Sequence, residues 1–513
     1  MGADKNQQNL FDPVPASRLA LLKHEDLLEF AELQQKVNET LFKEVKRLNA
    51  LKDELEQKTI LIEDQYIVVK NRLFGKSSEK EPPPKEEKKP KGNESPKKKK
   101  VQLPSERYPN LPRIDRQVTF PEPPACKCCG EKLEDSGMTE DSEYMTVIPK
   151  QYFVVQEKRH KYRCVKCHGD IQTAPPPPRI KPGSAYSDEM MLDVSLTKFC
   201  DLIPIERYVA IADRSGVSGL PQQSLIETTH YVGDFVRGAY GLVKDEVKSD
   251  KVLRADETPH RMLEGDATSH WYLWGFSSSK AAYFEAHDTR SGDVAADFLK
   301  DCKCEFLLSD VYSGYAKAVR VANMIRRAAE LAAIENVYCN AHARRRFKEA
   351  KERFPEEAQF FIDKYKEIYQ LDDLTKDKPP EEVLEIRKKM LPFFEDMKLR
   401  SMALTPDFSK KSTIVIAMGY LLRNFKELTA FTKNAAIPID NNAQESLLRN
   451  PVVGRKTWYG THSKRGAETM AILFSLVESC KLNKVNPREY FKALVDALHC
   501  GKKPFTPAIF KTH

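Results

Sequence analysis

From Lys251 to Tyr315 the chain alternates short apolar runs with one helical segment, and two of those runs end on an aspartate. "KVLRADETPHRML" (251–263) begins as an apolar strand and runs straight into Asp256 and Glu257. "HWYLWGFSS" and "AAYFEAHD" carry the aromatic-rich pattern of two further strands. "RSGDVAADFLKD" reads as a helix, and "CEFLLSDVYSGY" (304–315) as another buried strand, ending in Asp310. Both aspartates mark strand positions beside which a metal can bind.

A third carboxylate lies on a helix. In "PIDNNAQESLLRN" (438–450), Pro438 and Asp440 or Asn441 read as a turn and an N-cap. Asn441, Glu445 and Arg449 then fall four residues apart on one stripe, with Leu447 and Leu448 facing the opposite way. Three strands, a helix, a strand carrying Asp and a later helix carrying Glu is the layout of a ribonuclease-H-like domain, expected over residues 250–500. The segment 341–435 reads as a helical insertion, with "HARRRFKEAKERF" its most basic piece. His342 fits either a role at the site or a satisfied structural position. "GAETMAILFSLVESCKL" closes the domain as a buried helix.

The rest of the chain divides into four pieces. From Ala16 to Phe74 there is no Gly and no Pro. Leu41, Val45, Leu48, Lys52, Leu55, Thr59, Ile62, Tyr66, Val69 and Leu73 alternate spacings of four and three, the seam of a self-associating coiled coil, expected to dimerise. The alternative is a long helix packed on its own chain. Gly75 stops the helix, and residues 75–115 read as a flexible basic linker, because "PPPKEEKKPKGNESPKKKK" cannot bury a core. Residues 116–173 hold Cys126 and Cys129, then Cys164 and Cys167, as two C-x-x-C pairs. "YMTVIPKQYFVVQEKRHKYRC" between them alternates enough for two strands. Two such pairs flanking a hairpin describe a four-thiolate zinc ribbon with one structural Zn. Cys128 is then a spare thiol and His168 a substitute ligand. After "APPPPR", residues 180–245 read as helices joined by a Gly-containing turn, which fits a helix-turn-helix or a plain bundle. Gln222, Gln223 and Ser224 open the second helix, where base-reading residues sit. The chain is therefore expected to be multidomain α+β.

A net charge of +8 suits a nucleic-acid partner without requiring one. No apolar run reaches the eighteen or so residues of a membrane span, and "MGADKNQQNLFDPVPASR" has no signal-peptide core. A soluble, cytoplasmic protein without membrane contact is expected, nucleoid-associated when bound to DNA. Eleven cysteines, several in short pairs, then read as metal ligands rather than disulfides.

"ADETP", "LLSDVYSGY", "CNAHARRRF", "IPIDNNAQESLLR" and "GRKTW" together resemble the successive motifs of the insertion-sequence-sixty-six transposases, bacterial Asp-Asp-Glu enzymes. "LFGKSSEK" and the paired-Cys module match the same family's N-terminal region, so the resemblance spans about residues 25–500. Val311, where Gly is more usual, and "YGTHSKRG" after Trp458 depart from the pattern without touching a carboxylate. The resemblance implies a catalytic triad of Asp256, Asp310 and Glu445. Cutting and joining DNA by in-line displacement is served by two divalent cations about 3.5–4 Å apart. Asp256 would bridge two Mg²⁺ (or Mn²⁺), with Asp310 on one and Glu445 on the other. Water, and then the freed 3′ hydroxyl, would be the nucleophiles. Arg449, Arg455 and Lys456 would clamp phosphates; surface charges are the alternative. The implied partners are element ends, target DNA and accessory transposition proteins. A ribonuclease-H-like nuclease or resolvase would cut without joining, and a transposase-derived DNA-binding protein would do neither.

Overall fold

The computed structural model describes residues 23, 28, 31–52, 103–167, 169–263 and 270–510. They fall into two compact units: one of residues 78–176 and 210–220, the other containing the remaining chain.

The smaller unit is built from tight turns. Its cysteine pairs sit on two knuckles. In the first, Gly130 N–H donates to the Cys126 carbonyl and Cys126 N–H to the Glu131 carbonyl, with Gly130 at φ +78°. That left-handed position favours glycine. The second knuckle joins β1 (Lys161–Arg163) to β2 (Ile171–Thr173), an antiparallel pair in which Tyr162 opposes Gln172. The two strands expected between the cysteine pairs do not form as a hairpin. Residues 142–160 have no regular pairing, and Phe153, Val154 and Val155 are exposed. Alternation supplies strand propensity, but this stretch contains no glycine turn to fold it back and meets no apolar surface. Pairing appears instead where the knuckle reverses the chain. The end of the expected linker is also structured. Pro104–Arg107 forms one helical turn, and Ser105 donates from its N–H and hydroxyl to Glu143 at 2.9 and 2.8 Å.

The larger unit centres on a five-stranded sheet of order β5-β4-β3-β6-β7. Helices α1 (Asp188–Phe199), α2 (Ile205–Arg214), α3 (Gln222–Phe235) and α4 (Arg237–Ser249) precede it. β3 (Val252–Arg261), β4 (His270–Ser277) and β5 (Ala282–His287) make an antiparallel meander, followed by α5 (Gly292–Leu299). β6 (Phe306–Ser309) returns parallel to β3, then α6 (Ser313–Ala328) leads to β7 (Glu335–Tyr338), parallel to β6. The predicted strand, strand, strand, helix, strand order is therefore present, with β7 an addition.

Two hydrophobic cores sandwich the sheet. One gathers Leu253, Trp274, Phe276 and Leu307 with Met191, Val232, Val243, Phe298 and Tyr315, so α1, α3 and α4 share a core with the sheet. The other joins Val252, Leu308 and Val337 to the insertion: α7 (Asn340–Ala350), α8 (Pro355–Asp373), α9 (Pro380–Lys388), α10 (Leu391–Leu404) and α11 (Thr413–Arg423). The insertion is thus helical, as its composition predicts. α12 (Asn442–Trp458) then lies against β3 and β4, and α13 (Lys464–Leu482) and α14 (Pro487–His499) finish the unit. α13 is buried over most of its length and guards edge strand β5. Ser475 Oγ accepts from Phe284 N–H at 2.9 Å, and Ser479 Oγ from Ala282 N–H at 3.0 Å.

Residues 31–52 are helical and exposed throughout. The heptad seam from Leu41 is described as far as Lys52. Its remainder, Leu55 to Leu73, and the lysine-rich run 82–100 lie outside the described residues.

Candidate active site

β3 carries Asp256 and Glu257 side by side, and strand alternation sends them to opposite faces. Asp256 pairs across the ladder with Gly275, and Glu257 with Trp274. The parallel register Arg254↔Leu308, continued two residues, brings Asp256 level with Asp310 just beyond β6. Asp310 is fixed by an Asx turn, its Oδ1 accepting from Tyr312 N–H at 3.0 Å.

Glu445 reaches the same place from α12. Gly275 is the reason α12 can approach so closely. A Cβ there would lie 2.4 Å from Gln444 Nε2 and 3.0 Å from the Phe284 ring. Asn441 pins the helix start, donating from Nδ2 to the Ala255 carbonyl at 3.0 Å, one residue before Asp256. Asn441 is buried, so the stripe read from 441, 445 and 449 is not one continuous site face. The four-residue spacing puts Asn441 on Glu445's side of the helix, but at the helix start that side meets β3. Leu447 and Leu448 are buried in the core, as their spacing predicts.

The three carboxylates interact. Burial pushes the Asp256 carboxyl well above the usual carboxylate range, and the charges of Glu257, Asp310 and Glu445 push it the same way. The Glu257 N–H, donating to Asp256 Oδ1 at 2.9 Å, opposes this. Glu257, by contrast, is neutralised on its own face. Its side chain is 3% exposed and accepts from Arg290 Nε at 2.7 Å and from the Tyr315 hydroxyl. Arg290 in turn stacks 4.1 Å over the Tyr312 ring.

Beside Glu445 lie His342, which the sequence offered for the site, and Cys339, which it did not. Cys339 is the N-cap position of α7, and His342 lies one turn on. Ligand atoms of Cys339, His342 and Glu445 all lie within 4.8 Å of one another. His342 Nε2 is 3.7 Å from Glu445 Oε1, and Arg345 Nη2 is 3.9 Å from Oε2. Burial pushes the Cys339 thiol up to about 12, against the pull of the Asn441 and His342 backbone N–H groups. The signal available was C-x-x-H at a strand-to-helix junction, which puts both side chains on the first helical turn. Asp256, Asp310 and Glu445 are not within that same 4.8 Å of one another among the described residues.

The basic residues expected to meet DNA are distributed along α12. Arg449 and Lys456 are exposed, and Arg455 is half-buried, with Nη1 3.4 Å from Thr258 Oγ1. Gln222 and Gln223 are exposed in the first turn of α3, where the sequence puts them.

In the smaller unit, the N–H groups of Cys128 and Cys129 aim at the Cys126 sulfur and hold its thiol below the usual range. Among the described residues, no three of Cys126, Cys129, Cys164 and Cys167 bring their sulfurs within 4.8 Å of one another. His168 lies outside the described residues.

No helix among the described residues is long and apolar enough to cross a membrane. Residues 183–469 match the family described as Transposase IS66 family, more than half of the chain. Three proteins of Sinorhizobium fredii are similar over most of their length. Uncharacterized protein y4hP is 25% identical over 406 residues, 74% of this chain and 71% of that protein. Uncharacterized protein y4jD is 24% identical, covering 76% and 78%, and uncharacterized protein y4qI is 26% identical, covering 76% and 74%.

Proposed function

Because the chain belongs to the IS66 transposase family, we propose that it cuts the ends of an insertion element and joins their 3′ hydroxyls to target DNA. The observation that carries this reading is geometric: the β3–β6 register brings Asp256 level with Asp310 just beyond β6, and Asn441 ties the start of α12, which carries Glu445, to the residue before Asp256. We read the sheet as ribonuclease-H-like, from its three antiparallel strands, its crossover helix and the parallel strand that delivers Asp310.

The donor set suits Mg²⁺ or Mn²⁺. All three groups offer the hard oxygens that these ions prefer. Two bound cations would stabilise the attacking and leaving oxygens of an in-line displacement. Asp256, Asp310 and Glu445 would hold these cations. Arg449, Arg455 and Lys456 would hold phosphates beside the scissile bond. The cysteine knuckles would be drawn together by one structural Zn²⁺. The N-terminal helix would pair two copies, with DNA as the common partner and the cytoplasm as the compartment.

The test is strand transfer with Mg²⁺ on DNA carrying the element's own ends. Joined product in the wild type, lost in Asp310→Asn, is the expected result. Nicking without joining would favour the nuclease reading, and binding without either a DNA-binding derivative.

A further inference from the structure

We propose that Cys339, His342 and Glu445 form a site for a borderline-soft divalent cation, of the Zn²⁺ or Co²⁺ type, chemically distinct from the all-oxygen pair Asp256 and Asp310. This rests on the proposed function only in that Glu445 belongs to both groups.

The geometry is that of ligands facing a common centre. Donors bonded at roughly 2.0–2.3 Å to one tetrahedral ion lie on the order of 3.3–3.8 Å apart. His342 Nε2 and Glu445 Oε1 are 3.7 Å apart, inside that span and beyond a hydrogen bond. A carboxylate oxygen facing an imidazole nitrogen would ordinarily close to about 2.8 Å and share the proton. Here Glu445 Oε1 and His342 Nδ1 are both buried without a hydrogen-bond partner. Leaving such atoms unpaired costs on the order of 1–3 kcal/mol each, which a bound cation would offset at Glu445. Cys339 completes the set from the buried side. Its Sγ accepts from Asn441 N–H at 3.2 Å, a bond that suits a metal-bound thiolate. Arg345 lies near Glu445 Oε2, and Oε1 is the oxygen that faces the imidazole.

Chemistry selects the ion. Magnesium prefers oxygen and retains its waters, whereas sulfur and imidazole favour zinc and cobalt. The fold builds the site economically in sequence terms: Cys339 and His342 come from one helix start, and the same Asn441 that ties α12 to β3 also binds the sulfur.

The test is a Co²⁺ titration of the full chain after dialysis against a chelator to remove exchangeable zinc, followed by electronic absorption. The expected result is one equivalent of Co²⁺ showing a thiolate-to-cobalt charge-transfer band with a single sulfur. Cys339→Ser should abolish the band, His342→Ala should weaken Co²⁺ binding at least tenfold while the fold, followed by circular dichroism, is unchanged, and Asp310→Asn should keep it. Cys126→Ser and Cys164→Ser should also keep it, which separates this site from the knuckles. No single-sulfur band in the wild type, or a band surviving Cys339→Ser, would overturn the proposal. Strand transfer measured on the same preparations keeps the two readings apart. Joining without the band removes only this site, and the band without joining removes only the transposase chemistry.

Discussion

Asp256 and Glu257 leave β3 on opposite faces, and their surroundings assign them different work. Asp256 meets only one strong donor and three other negative charges, an arrangement that favours a cation or a proton. Glu257 is already matched by Arg290 and Tyr315. Asp310→Asn, Asp256→Asn and Glu445→Gln should each fold, bind element ends and lose joining by several orders of magnitude. About 1.4 kcal/mol is a factor of ten, and metal stabilisation of phosphoryl transfer is worth several kcal/mol. Joining at near the normal rate by Asp310→Asn would remove it from the triad. Glu257→Gln should behave differently. It keeps the hydrogen-bonding shape but loses the charge opposite Arg290, so about 1–2 kcal/mol of stability should go while most joining activity remains. His260, on the same strand, supplies a pH dependence. Burial lowers its imidazole to about 4, and Nε2 lies 2.8 Å from Thr461 Oγ1. Because the folded value is depressed, its contribution is complete above the unfolded value of about 6.5 and is lost as pH falls toward 4. Roughly 2 kcal/mol should be missing at pH 5, by denaturant titration, and His260→Gln should flatten that slope. The positions of the three carboxylates were legible because Asp256 and Asp310 follow apolar strand residues and Glu445 lies in the first turn of a recognisable helix. The meeting of Cys339 with His342 and Glu445 was not, since Glu445 joins them only after about a hundred intervening residues have folded as the insertion. Asn441 was misread for a related reason: helical spacing gives the side of a helix, but not what that side touches.

At the scale of elements, α12 and β4 depend on one missing side chain. Gly275→Ala would push a methyl into Gln444 Nε2 and the Phe284 ring. The neighbours are buried, so the expected cost is about 1–3 kcal/mol, with joining falling further than stability because Glu445 rides on the displaced helix. Unchanged thermal unfolding and unchanged joining together would mean that α12 has more freedom than this contact implies. The cysteine knuckles make a second element-level case. Two C-x-x-C pairs and Gly130 were readable from spacing, and both knuckles form, but the intervening strands were over-read from alternation alone. Period-two patterning describes a strand only where a turn and an opposing surface exist to use it. The expectation for the knuckles is one tightly held zinc, lost with the knuckle fold in Cys164→Ser. Elemental analysis finding none would end the ribbon reading.

For the whole molecule, the N-terminal helix poses the remaining question. Leu41, Val45 and Leu48 are each 50–55% exposed along the described part of the heptad seam. A helix of this kind in isolation is marginal, since most helical stability in proteins comes from burying an apolar stripe. The other half of its seam runs on to Leu73, with Lys52 and Thr59 its only polar positions. A second copy offers the same stripe in the same register, and pairing would bury both. That arrangement also suits the chemistry, because two element ends brought together need two copies of the Glu445 helix. Removing the first 75 residues should therefore lower the mass measured by light scattering to that of a single chain. Binding to a single element end should persist and keep its steep loss with rising salt, because the Lys and Arg proposed to meet phosphates, Arg449, Arg455 and Lys456, lie on α12. Joining of paired ends should fall much more than binding of one end. A truncated chain with unchanged oligomeric state would place the seam against its own chain, and undiminished paired-end joining would separate self-association from function.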